Sequence, residues 1–347
     1  MDIEDFITII ISIALIICIC RISTSKELFT TPIKEYNGMK TSKYFSNKKV
    51  IITGLIRNGE KSIYDSILFL YSQIIPHFNN YLILVYESDS TDETRNILLK
   101  QSSIDPKFIV MGCNDIKNAP FCRLSMAETA VRNRNYHRIN KMVYLRNMYV
   151  KELKKQEYKD YDYVIVYDFD LNANLVDNGL LNSSYHFESD SSIDGICANG
   201  IYKSSSMYYD TYAFKGIDHN TSRPIVSSDI ERVKSCFGGF TIYKRASFVM
   251  SKYSTNKVDM NDKGVLCEHV NFNSCLNIFH NENMVLLIDD VVIDTKTDKT
   301  DKTDKTDKTD KTDKTDYDKT DYDKTDNDYD YDYDYDDINV NEFSFNI

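Results

Sequence analysis

The chain has 347 residues, 42% hydrophobic, 12% aromatic and 27% charged, with a formal net charge of −11. This excludes a wholly disordered chain, a collagen and a polytopic membrane protein, and leaves room for one domain of about 200–280 residues with appendages. The acidity is local: residues 294–337 hold 18 Asp and 9 Lys, so the other 303 residues carry only −2, too little positive charge for a nucleic-acid binder.

The N-terminus opens with an uncharged run, Phe6–Cys20 (FITIIISIALIICIC), extended by Ile3 and Ile22. It approaches the roughly 17–25 residues that cross a bilayer. A cleaved signal would want a basic start and a small-residue cleavage site, but MDIED is acidic and CICRISTS has no A-x-A pattern. Residues 1–22 are therefore expected to be a retained membrane anchor, and 23–48 a polar stem. Arg21 and Lys26 lie on the C-terminal side of the run, which by the positive-inside rule keeps the bulk of the protein cytoplasmic.

Residues 49–293 read as the folded unit. Val50–Leu55 (VIITGL) is a short apolar strand ending at Arg57-Asn58. Ser62–Ile75 places Ile63, Ile67, Leu70 and Ile74 at helical spacing. Tyr81–Tyr86 (YLILVY) is a second strand running into Glu87-Ser88-Asp89, where Ser90 or Thr91 is expected to cap a helix through Leu99. Phe108–Met111 is a third strand, and Arg138–Lys155 has apolar residues at helix-like intervals. Tyr163–Tyr167 (YVIVY) is a strand ending in Asp168-Phe169-Asp170. Alternating strands and helices predict an α/β fold with a mainly parallel sheet flanked by helices, whose ligands sit outside the carboxyl ends of the strands.

From Thr295 the triplet Lys-Thr-Asp repeats and then decays into Tyr-Asp alternation. With almost nothing aliphatic to bury, residues 294–337 are expected to form a disordered charged spacer, followed by a short end at 338–347. The folded unit holds six of the eight cysteines, Cys113, Cys122, Cys197, Cys236, Cys267 and Cys275, and none has CxxC spacing. A zinc site is not expected, while disulfides and buried thiols both stay open. Asn182-Ser-Ser and Asn220-Thr-Ser are glycosylation sequons, weak hints of a lumenal setting.

The chemistry gathers at strand ends. Asp168 and Asp170 are hard oxygen donors at Asp-x-Asp spacing, suited to Mn2+ or Mg2+ bridging to a nucleotide diphosphate. Glu87 and Asp89 are placed to accept hydrogen bonds from a ribose or base edge, or else to cap the next helix. Arg57 falls in the polar cluster after the first strand, and Arg146, on the helix before Asp168, either clamps a diphosphate bidentately or is a solvated helical arginine. Asp210 lies among tyrosines in Tyr208–Ala213, and Cys236-Phe237-Gly238-Gly239-Phe240 permits close backbone approach. Cys267-Glu268-His269 adds a carboxylate, a possible base or sugar contact, and an imidazole, a common metal ligand.

Seven blocks carry a resemblance: Ile56-Arg57-Asn58, YLILVYESDSTDET, Tyr144-Leu145-Arg146-Asn147, YVIVYDFDLN, YDTYAF, SCFGGFTIYK and CEHVNFN. In this order they are similar to the fungal α-1,3-mannosyltransferases of the cryptococcal capsule type, glycosyltransferase family 69, with bacterial and viral relatives. The resemblance covers about residues 49–285. It implies a GT-A fold, a type II anchor with a lumenal Golgi or endoplasmic-reticulum domain, and a divalent metal. It also implies a nucleotide-sugar donor, GDP-mannose ahead of a UDP-sugar, a glycan or glycoprotein acceptor, and a retaining reaction. On it, Asp168 and Asp170 are the metal pair, to which the residue type of His269 adds a candidate metal ligand. Glu87 and Asp89 resemble its nucleoside-facing acid block, Arg146 matches the arginine of its Leu-Arg-Asn block and Asp210 the aspartate of its Tyr-Asp-Thr block, a catalytic candidate; from their own chemistry Arg57 and Asp168 join the donor-binding candidates and Glu268 the catalytic ones. The chain has Phe237-Gly-Gly where fungal members carry Trp-Gly-Gly, and Cys-Glu-His where they carry Ser-Glu-Cys.

Two other readings stand beside it. One is a catalytically silent, membrane-tethered binding protein. The other is a sugar nucleotidyltransferase, which would want a Gly-rich phosphate loop with a lysine near the first strand, and Ile56–Glu60 is not one.

Overall fold

The computed structural model describes residues 39–112, 136–176, 178–217, 229–255 and 265–289. The expected anchor, the repeat tail, Cys113, Cys122 and Asn220 lie outside the described residues. Among the described residues no helix is long and apolar enough to cross a membrane.

The strands are β1 (Lys49–Ile56), β2 (Asn80–Glu87), β3 (Phe108–Gly112), β4 (Tyr163–Tyr167), β5 (Ala173–Leu175), β6 (Gly195–Tyr202), β7 (Lys215–Gly216), β8 (Ile230–Ser235), β9 (Phe240–Lys244) and β10 (Ile278–Ile288). The helices are α1 (Ile63–Phe69), α2 (Thr94–Ile104), α3 (Tyr136–Glu152), α4 (Gly179–Ser189), α5 (Arg245–Met250) and α6 (Glu268–Asn273). One sheet runs β3-β2-β1-β4-β9-β6-β10-β8-β7, with β5 paired to β10.

The sheet is mixed rather than mainly parallel, which corrects the expectation. The pairs β1–β2, β1–β4, β2–β3 and β6–β10 are parallel. The pairs β4–β9, β6–β9, β5–β10, β8–β10 and β7–β8 are antiparallel. Strand–helix alternation describes the chain only as far as β4. Beyond it, β9 inserts antiparallel between two strands that run together.

Side chains alternate across β1 because successive residues point to opposite faces. Val50 and Ile52 join one core with Ile165, Ile242 and the α1 and α4 residues Ile63 and Phe187. Ile51 joins the other with Val164, Tyr243 and Tyr149 of α3, Phe248 of α5 and Phe272 of α6. Burial on both faces is what makes β1, β2 and β4 read as unbroken apolar runs.

Local departures have local causes. The helix expected over Ser62–Ile75 stops being regular after Phe69, passing through a π turn (Leu70–Ile74) and a 3-10 turn (Ile75–His77). Pro76 supplies no N–H and crowds the carbonyl four residues back. Helix α2 starts at Thr94 rather than after Ser90 or Thr91, because Asp92 Oδ1 accepts the Thr94 N–H at 3.1 Å. Ser90 is engaged elsewhere: its hydroxyl accepts the Asn58 N–H at 3.0 Å. The end of the expected stem is part of the domain. Phe45 is buried against Phe78, Tyr163 and Phe187, and the Ser42 N–H donates to the Leu181 carbonyl at 3.0 Å. The Asn182 sequon is buried in α4, its Nδ2 donating to the Lys40 carbonyl at 2.8 Å, so the fold leaves no room for a glycan there.

Candidate active site

Strands β1, β2, β4, β6 and β10 all run the same way, so their carboxyl ends share one edge of the sheet, together with the start of β9. Tyr167 pairs with Phe240 there, and Tyr202 with Ile288. At this edge opens a cavity of about 730 Å³ lined by Arg57, Asp168, Asp170, Asp210, Glu268 and His269 among others. Such a volume suits a ligand of nucleotide-sugar size.

Two backbone features shape the opening. A side chain on Gly54 of β1 would put its Cβ 1.9 Å from the Tyr167 carbonyl, so only glycine lets β1 pass the end of β4. Gly238 has φ +62°, and a Cβ there would stand 2.2 Å from the Ala198 carbonyl. The turn Phe237-Gly238-Gly239 thus lies against β6, where the disulfide Cys197–Cys236 ties it down. Cys267 and Cys275 are free.

Asp168 and Asp170 follow β4 directly. Asp168 is partly enclosed, Asp170 exposed. Enclosure, then the neighbouring charge of Asp170, pushes the Asp168 carboxyl well above the usual carboxylate range, with Arg146 opposing. The Tyr209 hydroxyl donates to Asp168 Oδ2 at 3.3 Å.

Arg146, on α3, is only 4% exposed. Its Nε donates to Glu268 Oε1 at 3.0 Å, Nη1 donates to the Tyr149 hydroxyl at 3.1 Å, and Nη2 stands 3.8 Å from Asp168 Oδ1. Phe237 and Tyr253 present ring faces to it at 5.5 and 5.7 Å. Burial works against its charge, but Tyr149 and Glu268 outweigh that and raise its pKa. The residue is therefore an internal countercharge among carboxylates rather than a free clamp at the surface.

His269 is 2% exposed and stacks on Phe237, rings 4.2 Å apart. Burial, then the Arg146 charge, holds its pKa well below the ordinary value, so it is neutral. Among the described residues neither ring nitrogen has a hydrogen-bond partner. Asp210 Oδ1 accepts the Ala213 N–H at 3.1 Å, and its desolvated setting pushes the carboxyl up to about 6.

The block after β2 is placed differently. Glu87 is buried, its Oε1 accepting the Ser90 N–H at 2.6 Å and its Oε2 pairing with Arg95 at 2.7 Å. Asn58 and Thr91 join the loops after β1 and β2, the Thr91 N–H donating to Asn58 Oδ1 at 2.8 Å. Of Glu87, Ser88 and Asp89, only Ser88 lines the cavity. The structure thus brings Arg57, Arg146, Asp168, Asp170, Asp210, Glu268 and His269 to one cavity and leaves Glu87 and Asp89 outside its lining.

Sequence reasoning passed over Arg138 and Lys141 on α3, and Tyr202, and noted Tyr209 and Tyr212 only as aromatics around Asp210. The first two were within reach: 138, 141 and 145 recur at helical spacing beside Arg146. Tyr202 gave no comparable signal, being one of 26 tyrosines.

The donor set fits a divalent cation. Asp168 and Asp170 supply hard oxygens whose mutual repulsion a cation would relieve, and His269 has two unpartnered nitrogens. Among the described residues no group of three or more His, Cys, Asp or Glu is already gathered closely enough to enclose a metal ion.

A family model described as cryptococcal mannosyltransferase 1 matches residues 49–277. No curated protein matches the sequence. Residues 1–349 of TarS from S. aureus are similar at 14% identity, over 70% of this chain and 60% of that one, with a TM-score of 0.41. The mannosyltransferase PcManGT from Pyrobaculum calidifontis, solved with GDP-Man and Mn2+, is similar at 11% identity, over 76% of this chain and 62% of that one, with a TM-score of 0.42. This chain therefore spans about 60% of the length of these solved chains.

Proposed function

The chain belongs to the cryptococcal mannosyltransferase 1 family, a family of glycosyltransferases, and from that premise we propose that its GT-A-like domain moves a sugar from a nucleotide diphosphate to a hydroxyl of a glycan or glycoprotein. Mannose from GDP-mannose is the favoured donor group, a UDP-sugar the alternative. The observation that carries the reading is the Asp168/Asp170 pair at the end of β4, sharing one cavity with Arg57, Arg146, Asp210, Glu268 and His269.

Asp168 and Asp170 would hold Mn2+ or Mg2+, which when bound would neutralise charge on the departing diphosphate, and His269 lines the same cavity. Arg57, Arg138 and Lys141 line the cavity and supply positive charge for the phosphates. Arg146 holds Glu268 in place and offsets the charge of Asp168, so the carboxylates keep a fixed geometry before substrate arrives. Asp210 and Glu268 are the carboxylates left to orient the attacking hydroxyl. The disulfide supports an oxidising compartment, which favours a lumenal domain behind a membrane anchor over the orientation drawn from Arg21 and Lys26.

The test is the double variant Asp168→Asn/Asp170→Asn. Sugar transfer from GDP-mannose and Mn2+-dependent binding of GDP are both expected to vanish. Undiminished turnover in that variant would reject the site.

A further inference from the structure

Resting on the membrane anchor in that reading, we propose that the face of the domain formed by helices α1 and α2 and by residues 39–49 lies against the lipid bilayer.

Exposed apolar side chains are unevenly shared. Among the described residues six large ones stand well out of the fold: Tyr64, Leu68, Leu99, Ile104, Met207 and Met250. The first four sit on the neighbouring helices α1 and α2. Both helices cover the same side of the sheet, since Ile63, Phe69 and Leu98 join the core of Val50 and Ile52. Tyr64 and Leu68 are four positions apart on α1, so they share one helix face. The opposite side of the sheet, covered by α3, α5 and α6, exposes only Met250 of the six. One exposed leucine needs no explanation, but four of six such residues on one helix pair mark a contact surface.

The chain enters on that same side. The 3-10 turn Tyr44–Asn47 sends Phe45 into the core shared with α1 and α4, against Phe78 and Phe187. Around it, residues 39–49 hold Lys40, Lys43, Lys48 and Lys49 and no acidic residue. Among the described residues only Lys48 of these reaches a carboxylate, that of Asp162 at 3.9 Å. Residues 21–38 alone separate this segment from the uncharged run 6–20, a reach of at most about 65 Å. The chain therefore leaves the domain, on its way to the expected anchor, from the side that carries the apolar residues.

A bilayer meets both features. Headgroup phosphates attract the ammonium groups, and the boundary with the acyl chains accepts Leu68, Leu99, Ile104 and the ring of Tyr64. A second copy docked face to face would instead set lysines against lysines. With this side down, the sheet lies flat over the membrane, and the cavity, which opens at one edge of the sheet, faces along the membrane surface.

The sequence contains no tryptophan, so a single substitution gives an unambiguous reporter. The full chain carrying Leu68→Trp, Ile104→Trp or Met250→Trp is incorporated into phosphatidylcholine vesicles with ordinary or brominated acyl chains, and tryptophan emission is measured. A side chain about 5–10 Å into the interface should lose about half its emission to the bromines. That loss is expected at positions 68 and 104 and not at position 250. None of the three lines the cavity, so the Kd for GDP should stay within about twofold of the wild-type value. If Leu68→Trp does not fold by circular dichroism, Tyr64→Trp takes its place. Alkaline carbonate extraction tests the anchor separately. Undiminished emission at 68 and 104 in carbonate-resistant protein overturns the docking face and leaves the anchor standing. Equal quenching at all three positions overturns it too. Emission at 68 that ignores bromine but shifts to the blue as protein concentration rises gives the face to a second copy, and again overturns the proposal. Quenching at 68 and 104 in protein that carbonate strips away upholds the face and rejects the anchor.

Discussion

The Nε of Arg146 donates to Oε1 of Glu268 at 3.0 Å, joining residues 122 positions apart inside the cavity wall. Both side chains are buried, and the second reach of the guanidinium, 3.8 Å to Asp168, makes this pair the link between helix α3, helix α6 and the end of β4. Opposite charges so placed depend on each other. Glu268 without Arg146 is an uncompensated buried ion, and Arg146 without Glu268 keeps only the longer reach to Asp168.

Arg146→Met should therefore cost about 3–5 kcal/mol of stability, and Glu268→Gln somewhat less. The double variant Arg146→Met/Glu268→Met should recover part of the loss, since Glu268 is then not stranded, while Asp168 still lacks its countercharge. Urea denaturation of the four proteins gives the coupling energy. Strict additivity would show that the pair is not a unit.

Reduction should weaken the fold. Cys197–Cys236 closes a loop of 39 residues, which by chain entropy is worth about 4 kcal/mol. Thermal melts with and without reductant should differ by about 10 °C, and the Cys197→Ser/Cys236→Ser variant should melt like the reduced protein whether or not reductant is present. Equal melting temperatures for the oxidised and reduced protein would refute this.

Acid should destabilise the protein through His280. Burial lowers its folded pKa to about 3, against about 6.5 in an unfolded chain. Between those values the unfolded state binds a proton that the folded state refuses. The stabilisation is complete above pH 6.5 and is lost as pH falls towards 3, about 3 kcal/mol of it by pH 4. His269 acts in the same direction. Comparing urea midpoints from pH 7 to 4 for the wild type and His280→Gln isolates one histidine. Parallel curves would mean that His280 titrates freely.

Gly238→Ala should cost about 2–4 kcal/mol, from a positive φ that alanine adopts poorly and from the Cβ that meets the Ala198 carbonyl. Donor affinity should fall as well, because Phe237, the preceding residue, supports His269 and Arg146. Calorimetric unfolding with GDP titration checks both. A variant as stable as wild type would mean that the turn relaxes freely.

How much of this was legible in the sequence follows from locality. Strands β1, β2 and β4 announced themselves because both their faces are buried, and the polar residues just past them mark the cavity edge. Arg146 read equally well as a surface residue, since what buries it, Glu268, Phe237 and Tyr253, comes from more than 90 positions away. Glu87 looked like a ligand contact because its pattern is the same whether it faces ribose or, as here, a nearby amide and Arg95. Strand β8 (IERVKS) alternates charge with apolar residues, and β9 gives no local sign of its antiparallel direction. Cysteines 39 positions apart carry no sign of their pairing.

Strand β10 is the last element of the sheet to be made, yet it bonds to β5, β6 and β8. During synthesis, β5, β6 and β8 emerge from the ribosome before the strand to which all three bond. Completion of the fold must wait for Ile278–Ile288, and a nascent chain halted before it would expose unpaired strand edges to neighbours and chaperones.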